Sequence, residues 1–419
     1  MRTLAAKQAS VKPGTVIIGA DLADRENVAQ VINTQAEKLE GFTFTHDAAG
    51  YAKLMRYITR LQAQHEAPEV IVAMEPTNYY WKLVATALEA HDLRYVLVNA
   101  YTVKKHREGD QLDRSKDDSR DGYFIGEITR TGKFTETQLL HGERAELREL
   151  CQLYGRLRSD QQRIRNRIIA GIGQLFPEVR TVFKNVTGQT ARALLRQHAI
   201  PAQICALSWE ELVAAVRIDF KGRRLQVSKI RQAQALAAES VGLTEGATAI
   251  QLGLQCHLDQ WETLEAQRQA VCAAITAVFL GLPEAPWLLS VPRLGVIAAA
   301  TILAEIGEPQ RFRRSAQLVK LAGIQPTPHT SGRHSRSRTP MSHQGRPGLR
   351  TALYYAVLRL IQGCPAFRAA YHRFQSRKTH PLTPMEALGA MMNKLLRILW
   401  AVMQSHQVYD PTRVGQTPA

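Results

Sequence analysis

The fold of the first part of the chain is decided by the stretch Thr15-Val-Ile-Ile-Gly-Ala-Asp21, a short apolar run that ends on a carboxylate. A second stretch, Glu69-Val-Ile-Val-Ala-Met-Glu75, repeats the same pattern. Short apolar runs rich in β-branched side chains are typical of buried strands. Because α/β proteins build their sites at the carboxyl ends of strands, Asp21 and Glu75 are candidate site residues.

Outward from these two strands, residues 42–44 and 95–98 predict two more strands, and residues 48–64 and 81–91 predict helices. Strands that alternate with helices over roughly the first 130 residues predict a sheet covered by helices. The first part of the chain is therefore expected to be an α/β domain.

Two further acids, Asp118 and Asp121, would lie on one face of a helix over residues 115–130. Four carboxylates from two strand ends and one helix would suit Mg²⁺ or Mn²⁺, which prefer oxygen ligands. Two such ions about 4 Å apart activate the attacking oxygen and stabilise the leaving one. Taken singly, each acid could be a helix cap or part of a solvated turn. Their order along the chain is typical of an RNase H-like nuclease core.

The middle of the chain, from about residue 136 to residue 279, has no strand signals. Apolar residues recur there at spacings of three and four between Leu147 and Ile168, with one polar break at Gln161. A second candidate seam runs from Leu254 to Val278. Such seams predict paired helices. An intramolecular helical hairpin and a dimerisation arm fit the pattern equally well, so both remain open.

Positive charge is concentrated in one stretch. The chain has 419 residues, and its 54 Lys and Arg against 37 Asp and Glu give a net charge of +17. Fourteen of those cations and no acid lie between Glu308 and Glu386. A solvated basic surface is the ordinary explanation, but interleaved aromatic residues favour nucleic-acid contact. The candidate nucleic-acid-binding residues are Arg311, Arg313, Arg314, Arg333, Arg336, Arg338, Arg346 and Arg350.

The part of the chain after residue 285 is predicted to be mainly helical. Residues 288–303 predict a helix, a tight turn at Pro292-Arg-Leu-Gly295 and a second helix, as in a helix-hairpin-helix. The turn could face a phosphate or simply pack. A loop rich in Ser, Arg, Pro and Gly follows, then helices over 349–362 and 384–404. From the residues alone, Ser331 is no better a nucleophile than the other serines of that loop.

Several protein classes are excluded by the sequence pattern. No run approaches the roughly 18 consecutive apolar residues of a membrane span. The first residues lack the apolar core of a secretory signal, and the five cysteines form no Cys-x-x-Cys pair. We therefore expect a cytoplasmic, nucleoid-associated protein without structural zinc or a disulfide framework.

Together these segments resemble the DEDD-type insertion-sequence transposases of the IS110 family. Three motifs carry the resemblance in the first part of the chain: Ile18-Gly-Ala-Asp21, Met74-Glu-Pro-Thr77 and Lys116-Asp-Asp-Ser-Arg-Asp-Gly122. Eight more carry it later: Val291-Pro-Arg-Leu-Gly295, Glu305-Ile-Gly307, Arg311-Phe312, Leu321-Ala-Gly323, Ser331-Gly332, Ser342-His-Gln-Gly345, Leu349-Arg350 and Lys394-Leu-Leu-Arg-Ile-Leu-Trp400. The chain departs from the family pattern at Asp117, Gly122 and Arg293, where the family has threonine, alanine and glycine.

The resemblance implies an α/β plus α architecture with three domains. These are a RuvC-like domain over residues 1–135, a helical coiled-coil region over 136–281, and a C-terminal transposase domain over 282–419. It also implies a composite active site, in which Asp21, Glu75, Asp118 and Asp121 hold Mg²⁺ and assist Ser331. That serine would attack a DNA phosphate and form a covalent phosphoserine.

The expected partners are donor and target DNA, a structured bridge RNA that pairs with both, and further copies of the chain in a dimer or tetramer. Two other functions remain open at this point. One is a metal-dependent, structure-specific nuclease in which water is the nucleophile. The other is a non-catalytic nucleic-acid-binding scaffold. An actin-like ATPase ranks below both, because the chain has no second phosphate-binding glycine turn.

Overall fold

A computed structural model describes residues 4–110, 118–137, 139–327, 330–331, 334–335 and 339–411 of the chain. The chain divides into two compact units, Met1–His141 and Gly142–Ala419. Within the described ranges, no helix is long and apolar enough to span a membrane.

The first unit is built on a mixed five-stranded sheet with the strand order β3-β2-β1-β4-β5. Its strands are β1 Val16–Asp21, β2 Glu26–Ile32, β3 Lys38–Thr45, β4 Val70–Met74 and β5 Tyr95–Leu97. Its helices are α1 Leu4–Gln8, α2 Ala48–Gln64, α3 Tyr80–Glu89, α4 Ala100–Asp110 and α5 Asp118–Arg130. Strands β1, β2 and β3 are antiparallel neighbours, whereas β4 and β5 run parallel to β1. The four predicted strands are confirmed, and the mixed sheet is consistent with an RNase H-like domain.

Strand β2 was not predicted, because polar residues interrupt its apolar pattern. Asn27 and Gln30 lie within the strand, and both are buried. The Asn27 side chain donates to the carbonyl of Phe44 at 3.1 Å and accepts from the backbone N–H of Ala23. The Gln30 side chain donates to the carbonyl of Glu40 at 2.7 Å. Buried polar groups that are hydrogen-bonded in this way are compatible with a central strand.

Helices cover both faces of the sheet. Alternate residues of β1 point to opposite faces, so Ile18 packs with Leu54 of α2 and Leu88 of α3. On the other face, Ile17 packs with Ile125 of α5. The burial of these side chains fixes the register of β1, because a one-residue slip would exchange the two faces.

The second unit is almost entirely helical. Its first helices are α6 Gly142–Leu175, α7 Val179–Val182, α8 Gln189–Gln197, α9 Pro201–Cys205, α10 Trp209–Asp219, α11 Val227–Ala237 and α12 Ala247–Gly281. Its later helices are α13 Ala285–Leu289, α14 Val296–Ile306, α15 Ser315–Ala322, α16 Pro347–Gly363, α17 Pro365–Gln375 and α18 Pro384–Ser405. A 3-10 turn, Pro309–Arg311, precedes α15. Two short antiparallel strands, β6 Thr330–Ser331 and β7 His334–Ser335, follow α15.

The two long helices α6 and α12 form an antiparallel pair within the chain. Gly281, at the end of α12, lies against Glu143 at the start of α6, and Gly171 near the end of α6 lies against Leu254. In the predicted seam of α6, Leu147, Leu157, Ile164 and Ile168 are buried, and so is the polar Gln161. The intramolecular hairpin is therefore present, and a dimerisation role for these helices stays a prediction.

Two hydrophobic cores hold the second unit together. In the first core, helices α7 through α11 pack against the adjoining halves of α6 and α12. The other joins the C-terminal helices to the opposite ends of the same pair, so that Leu147 and Ile275 pack with Leu303 and Leu395. Residues 142–281 and 282–419 lie in one compact unit, in which α6 and α12 contribute to both cores. The division into three domains stays a prediction.

Candidate functional site

Two of the predicted acids lie side by side at one edge of the sheet. Strands β1 and β4 are parallel neighbours, and Ala20 is paired with Met74. Asp21 directly follows Ala20, and Glu75 directly follows Met74. The two acids therefore come one residue after a pair of neighbouring strand positions. Parallel pairing of two strands that each end on an acid therefore brings together carboxylates 54 positions apart in sequence.

Helix α5 is held against β1 by a contact between glycine backbones. A Cβ atom on Gly19 would lie 2.0 Å from the carbonyl oxygen of Gly122 and 2.7 Å from the nitrogen of Gly126. Only a residue without a side chain permits this approach. Asp121 directly precedes Gly122 and is buried, so the glycine contact brings the third acid to the strand that carries Asp21.

Asp121 has a cationic partner that the sequence analysis did not identify. The Nη1 atom of Arg107 lies 3.1 and 3.2 Å from the two carboxylate oxygens of Asp121. The Asp121 side chain is only 12% exposed, against 35% for that of Arg107. A second contact of the same two helices joins His106 to Glu127 at 2.9 Å. The only sequence signal for Arg107 is its place in the basic run Lys104-Lys-His-Arg107.

The acids fit a divalent cation by their chemistry. Carboxylate oxygens are the ligands that hard cations prefer, and three carboxyl-bearing residues are placed by β1, β4 and α5. Among the described side chains, however, no group of three or more His, Cys, Asp or Glu residues is arranged to hold a metal ion. Asp118 is the first residue of α5, but its side chain lies outside the described part of the chain. For Asp121 to become a ligand, its carboxylate would have to exchange Arg107 for the cation.

The described residues around Ser331 form a set of antiparallel backbone pairs, called here the serine extension. Its base is formed by the N–H of Ser342, which donates to the carbonyl of Gln325 at 3.0 Å. The N–H of Thr327 donates to the carbonyl of Pro340 at 2.9 Å, and β6 and β7 continue the pairing towards the tip. Ser331 is paired with His334 by its backbone position in this ladder.

Two glycines join this extension to the end of α15. Gly323 has a φ of 66° and ends that helix. A Cβ atom on Gly345 would lie 2.4 Å from the nitrogen of Gly323 and 2.5 Å from the carbonyl oxygen of Leu321. The Leu-Ala-Gly and Ser-His-Gln-Gly motifs, which are separate in sequence, thus form one backbone contact that fixes the base of the serine loop.

Three of the predicted nucleic-acid-binding arginines donate to carbonyl oxygens at helix ends. Arg346 donates to the carbonyl of Glu305 and Arg311 to that of Ile306, at the end of α14. Arg350 donates to the carbonyl of Ala322 at the end of α15, at 2.8 Å. Cations are favourable there, because the last carbonyls of a helix carry partial negative charge. These three arginines therefore stabilise the fold, whatever else they bind.

Charge is crowded around Arg346. Burial, followed by the neighbouring positive charge of Arg148, lowers the pKa of Arg346 to about 10, so it remains protonated at neutral pH. Arg313 and Arg314 are exposed. The predicted binding residues Arg333, Arg336 and Arg338, like the side chain of Ser331, lie outside the described residues. Nucleic-acid binding by this set stays a prediction.

The tight turn between α13 and α14 has the predicted position. Arg293, which stands where the family has glycine, adopts a left-handed φ of 60°. Its side chain lies against Gly363 at the end of α16. Glycine adopts this conformation without strain, whereas arginine is strained in it. The arginine side chain makes the contact with Gly363, which a glycine could not make.

Comparison with known proteins gives two family matches. Residues 18–177 match the model of a family described as a transposase, and residues 285–372 match that of the transposase IS116/IS110/IS902 family. The first match contains the three acids placed above, and the second contains the serine extension. The two matched regions contain all the motifs of the sequence analysis except Lys394–Trp400, which follows the second match.

Similarity to individual proteins extends over almost the whole chain. The chain is 24% identical to the mini-circle protein assigned as the transposase for IS117 of Streptomyces coelicolor, over 95% of this chain and 96% of that protein. It is 25% identical to a 42 kDa protein of insertion element IS900 from Mycobacterium paratuberculosis, over 94% and 96%. A 43.6 kDa protein of insertion element IS110 from Streptomyces coelicolor is 26% identical, over 71% and 72%.

Proposed function

This chain belongs to the IS110 family of insertion-sequence transposases, and on that premise we propose that it cuts and rejoins DNA through a serine nucleophile assisted by a carboxylate-held divalent cation. The observation that carries the proposal is the placement of acids by the first unit. Asp21 and Glu75 follow paired positions of β1 and β4, and Asp121 sits beside the Gly19 contact on α5.

The proposed step is a phosphoryl transfer to Ser331. The Ser331 hydroxyl loses its proton to a neighbouring base or water as its oxygen bonds to the phosphorus of a DNA phosphodiester. The bond from that phosphorus to one deoxyribose oxygen breaks, and the released strand end takes up a proton. The phosphoserine that results keeps the energy of the phosphodiester, so a second strand end can displace the serine without ATP.

We assign metal binding to the carboxylates. Asp21, Glu75, Asp118 and Asp121 would hold Mg²⁺ or Mn²⁺, which when bound supplies Lewis-acid polarisation of the phosphate. In the absence of a cation, Arg107 neutralises the buried carboxylate of Asp121 and so limits the cost of its burial.

A covalent-adduct assay tests the nucleophile. The protein is incubated with Mn²⁺ and an internally labelled DNA that carries the element's junction, so that either strand end joined to the protein is detected, and adducts are resolved by denaturing electrophoresis. We expect Ser331→Ala to abolish the adduct and to leave DNA binding unchanged. Ser335→Ala, whose backbone pairs with Thr330 in the same hairpin, is the matched control and should retain the adduct.

The outcomes separate the proposal from the two other functions. An adduct that survives Ser331→Ala would exclude this serine as the nucleophile. Free hydrolysed ends without an adduct would point to a nuclease in which water attacks. Absence of any metal-dependent cleavage, with binding intact, would point to a scaffold.

We propose further that a structured bridge RNA selects the DNA sites and that the protein acts as a homo-oligomer. The resemblance implies both partners, and the stretch of fourteen cations without an acid supports binding of a polyanion. Sequencing of RNA that copurifies with the expressed protein tests the first point. If only random cellular RNA copurifies, guidance by a specific RNA is contradicted. The second point is tested by light scattering of the complex, which measures the number of subunits.

A further inference from the structure

A basic cavity in the second unit lies outside both the acid cluster and the acid-free stretch. It has a volume of about 280 Å³ and lies where α6 turns into α7. Three cationic residues line it, Arg165, Arg180 and Lys184, together with the apolar residues Ile169 and Phe183. No acidic residue lines it. Since a water molecule occupies about 30 Å³ in the liquid, the cavity has room for a hydrated phosphate group.

The three cations of this cavity have no ion-pair partner among the described residues. Some other cations of the second unit are paired: Arg163 with Asp160, Arg192 with Glu265 and Arg196 with Asp259. Between residues 161 and 190 the chain has five cations and a single acid, Glu178.

That acid is engaged elsewhere. The Glu178 carboxylate accepts from the hydroxyl of Ser240 at 2.7 Å and from the backbone N–H of Val241 at 3.0 Å. It is therefore held by the loop that follows α11, and it is not among the residues that line the cavity.

A fourth cation lies near an aromatic ring that lines the cavity, although it does not line the cavity itself. Lys229 of α11 lies with its ammonium group 5.7 Å from the ring centre of Phe183, which is buried. Phe183 thus forms an apolar wall with positive charge on it. Side chains of like charge around one cavity repel each other, and an anion placed between them relieves that repulsion.

We propose that the cavity lined by Arg165, Arg180 and Lys184 binds phosphates of a nucleic-acid backbone, so that the helical middle of the protein is a second grip on its substrate. The ligand class follows from the residues: several cations, no acid and an open, half-apolar wall suit a phosphodiester better than a small apolar ligand. The inference rests on the proposed function, since it assigns this cavity to the DNA or RNA of the same reaction.

Binding measured in EDTA tests this inference, because binding without metal is independent of strand transfer. The probes are a fluorescein-labelled 20-base-pair DNA duplex of random sequence and a labelled RNA hairpin of the same number of base pairs. Fluorescence anisotropy gives Kd at several salt concentrations for the full chain and for the variant Arg165→Ala/Arg180→Ala/Lys184→Ala.

A matched variant controls for the loss of three charges. Arg156, Arg217 and Arg268 lie on α6, α10 and α12, do not line the cavity and have no ion-pair partner in the part of the chain that the structure describes. The variant Arg156→Ala/Arg217→Ala/Arg268→Ala therefore removes the same charge elsewhere in the same unit. Circular dichroism melting checks that both variants remain folded.

We expect the cavity variant to weaken binding about tenfold or more, and the control variant to change it by less than about twofold. The slope of log K against log salt should fall by about 0.9 for each lost contact with duplex DNA. A loss with RNA alone assigns the cavity to RNA, and a loss with duplex alone assigns it to DNA. Equal slopes and affinities for the folded cavity variant, the control variant and the unmodified chain would overturn the inference, whatever the adduct assay shows.

Discussion

Substitution of Gly19 by alanine should separate α5 from the sheet and displace Asp121 from the other acids. The new Cβ would lie 2.0 Å from the carbonyl oxygen of Gly122, and non-bonded Cβ contacts under 3.0 Å are essentially never observed. The distance between the backbones of Gly19 and Gly122 must therefore increase by at least about 1 Å. Both atoms belong to backbones within regular elements, so no side-chain rotation relieves the contact.

The expected cost has two parts. Overpacking of this kind destabilises a fold by about 1–3 kcal/mol, which for the first unit corresponds to a fall in Tm of roughly 3–10 °C. A misplacement of about 1 Å at a reacting centre can reduce a rate about 100-fold. Differential scanning calorimetry measures the first effect, and the initial rate of adduct formation at a temperature where the variant is folded measures the second.

Two other glycines provide the controls. The Cβ of Gly122→Ala would meet the carbonyl oxygen of Gly19 at 2.9 Å, so a shift of a few tenths of an ångström suffices. Gly173→Ala, in α6, meets nothing within 4 Å and should stabilise by about 0.5–1 kcal/mol through helix propensity. A Gly19→Ala protein with unchanged Tm and adduct rate would refute the view that this contact positions Asp121.

Three other changes test separate features. Arg107→Ala should raise the affinity for Mn²⁺ about fivefold, as measured by calorimetric titration, because the guanidinium and the cation compete for Asp121; equal affinity would show that they do not compete. Gln161→Leu should raise the urea midpoint, since it replaces a buried polar group in the α6–α12 seam at a gain of about 1 kcal/mol; a lower midpoint would show that the amide is needed there. Burial raises the pKa of the Cys151 thiol to about 12, so iodoacetamide at pH 8 should modify the exposed Cys205 in the folded protein and spare Cys151; mass spectrometry that found both modified at equal rates would contradict this.

Much of the first unit could be predicted from local pattern alone. The apolar runs that become β1 and β4 are bounded by polar residues, and the order of the acids along the chain is written in the sequence. Strand β2 escaped prediction because its buried Asn27 and Gln30 are satisfied by groups on neighbouring segments, which no local window contains. Because of these polar residues, the sequence of β2 lacks the apolar run that predicts a buried strand.

The basic stretch illustrates the opposite limit. Its composition predicts a polyanion partner, yet the sequence does not show which arginines are engaged within the protein. Arg346 donates to a carbonyl 41 positions away and Arg350 to one 28 positions away, and such partners are set by helix packing. The unpaired cations beside α7 were overlooked for the same reason, since a count along the chain cannot separate paired charges from unpaired ones.

The sequence by itself determined the two apolar strands with their acids, the helical seam, the concentration of charge and the family. These properties depend on residue types at short, regular spacings, which local sterics and side-chain periodicity translate directly into structure. Only the tertiary structure decided that Gly19 admits α5 to the sheet, that Arg107 holds Asp121 and that three cations share a cavity. Each of these depends on atoms brought together by packing, because distance in space is set by the whole fold and not by separation along the chain.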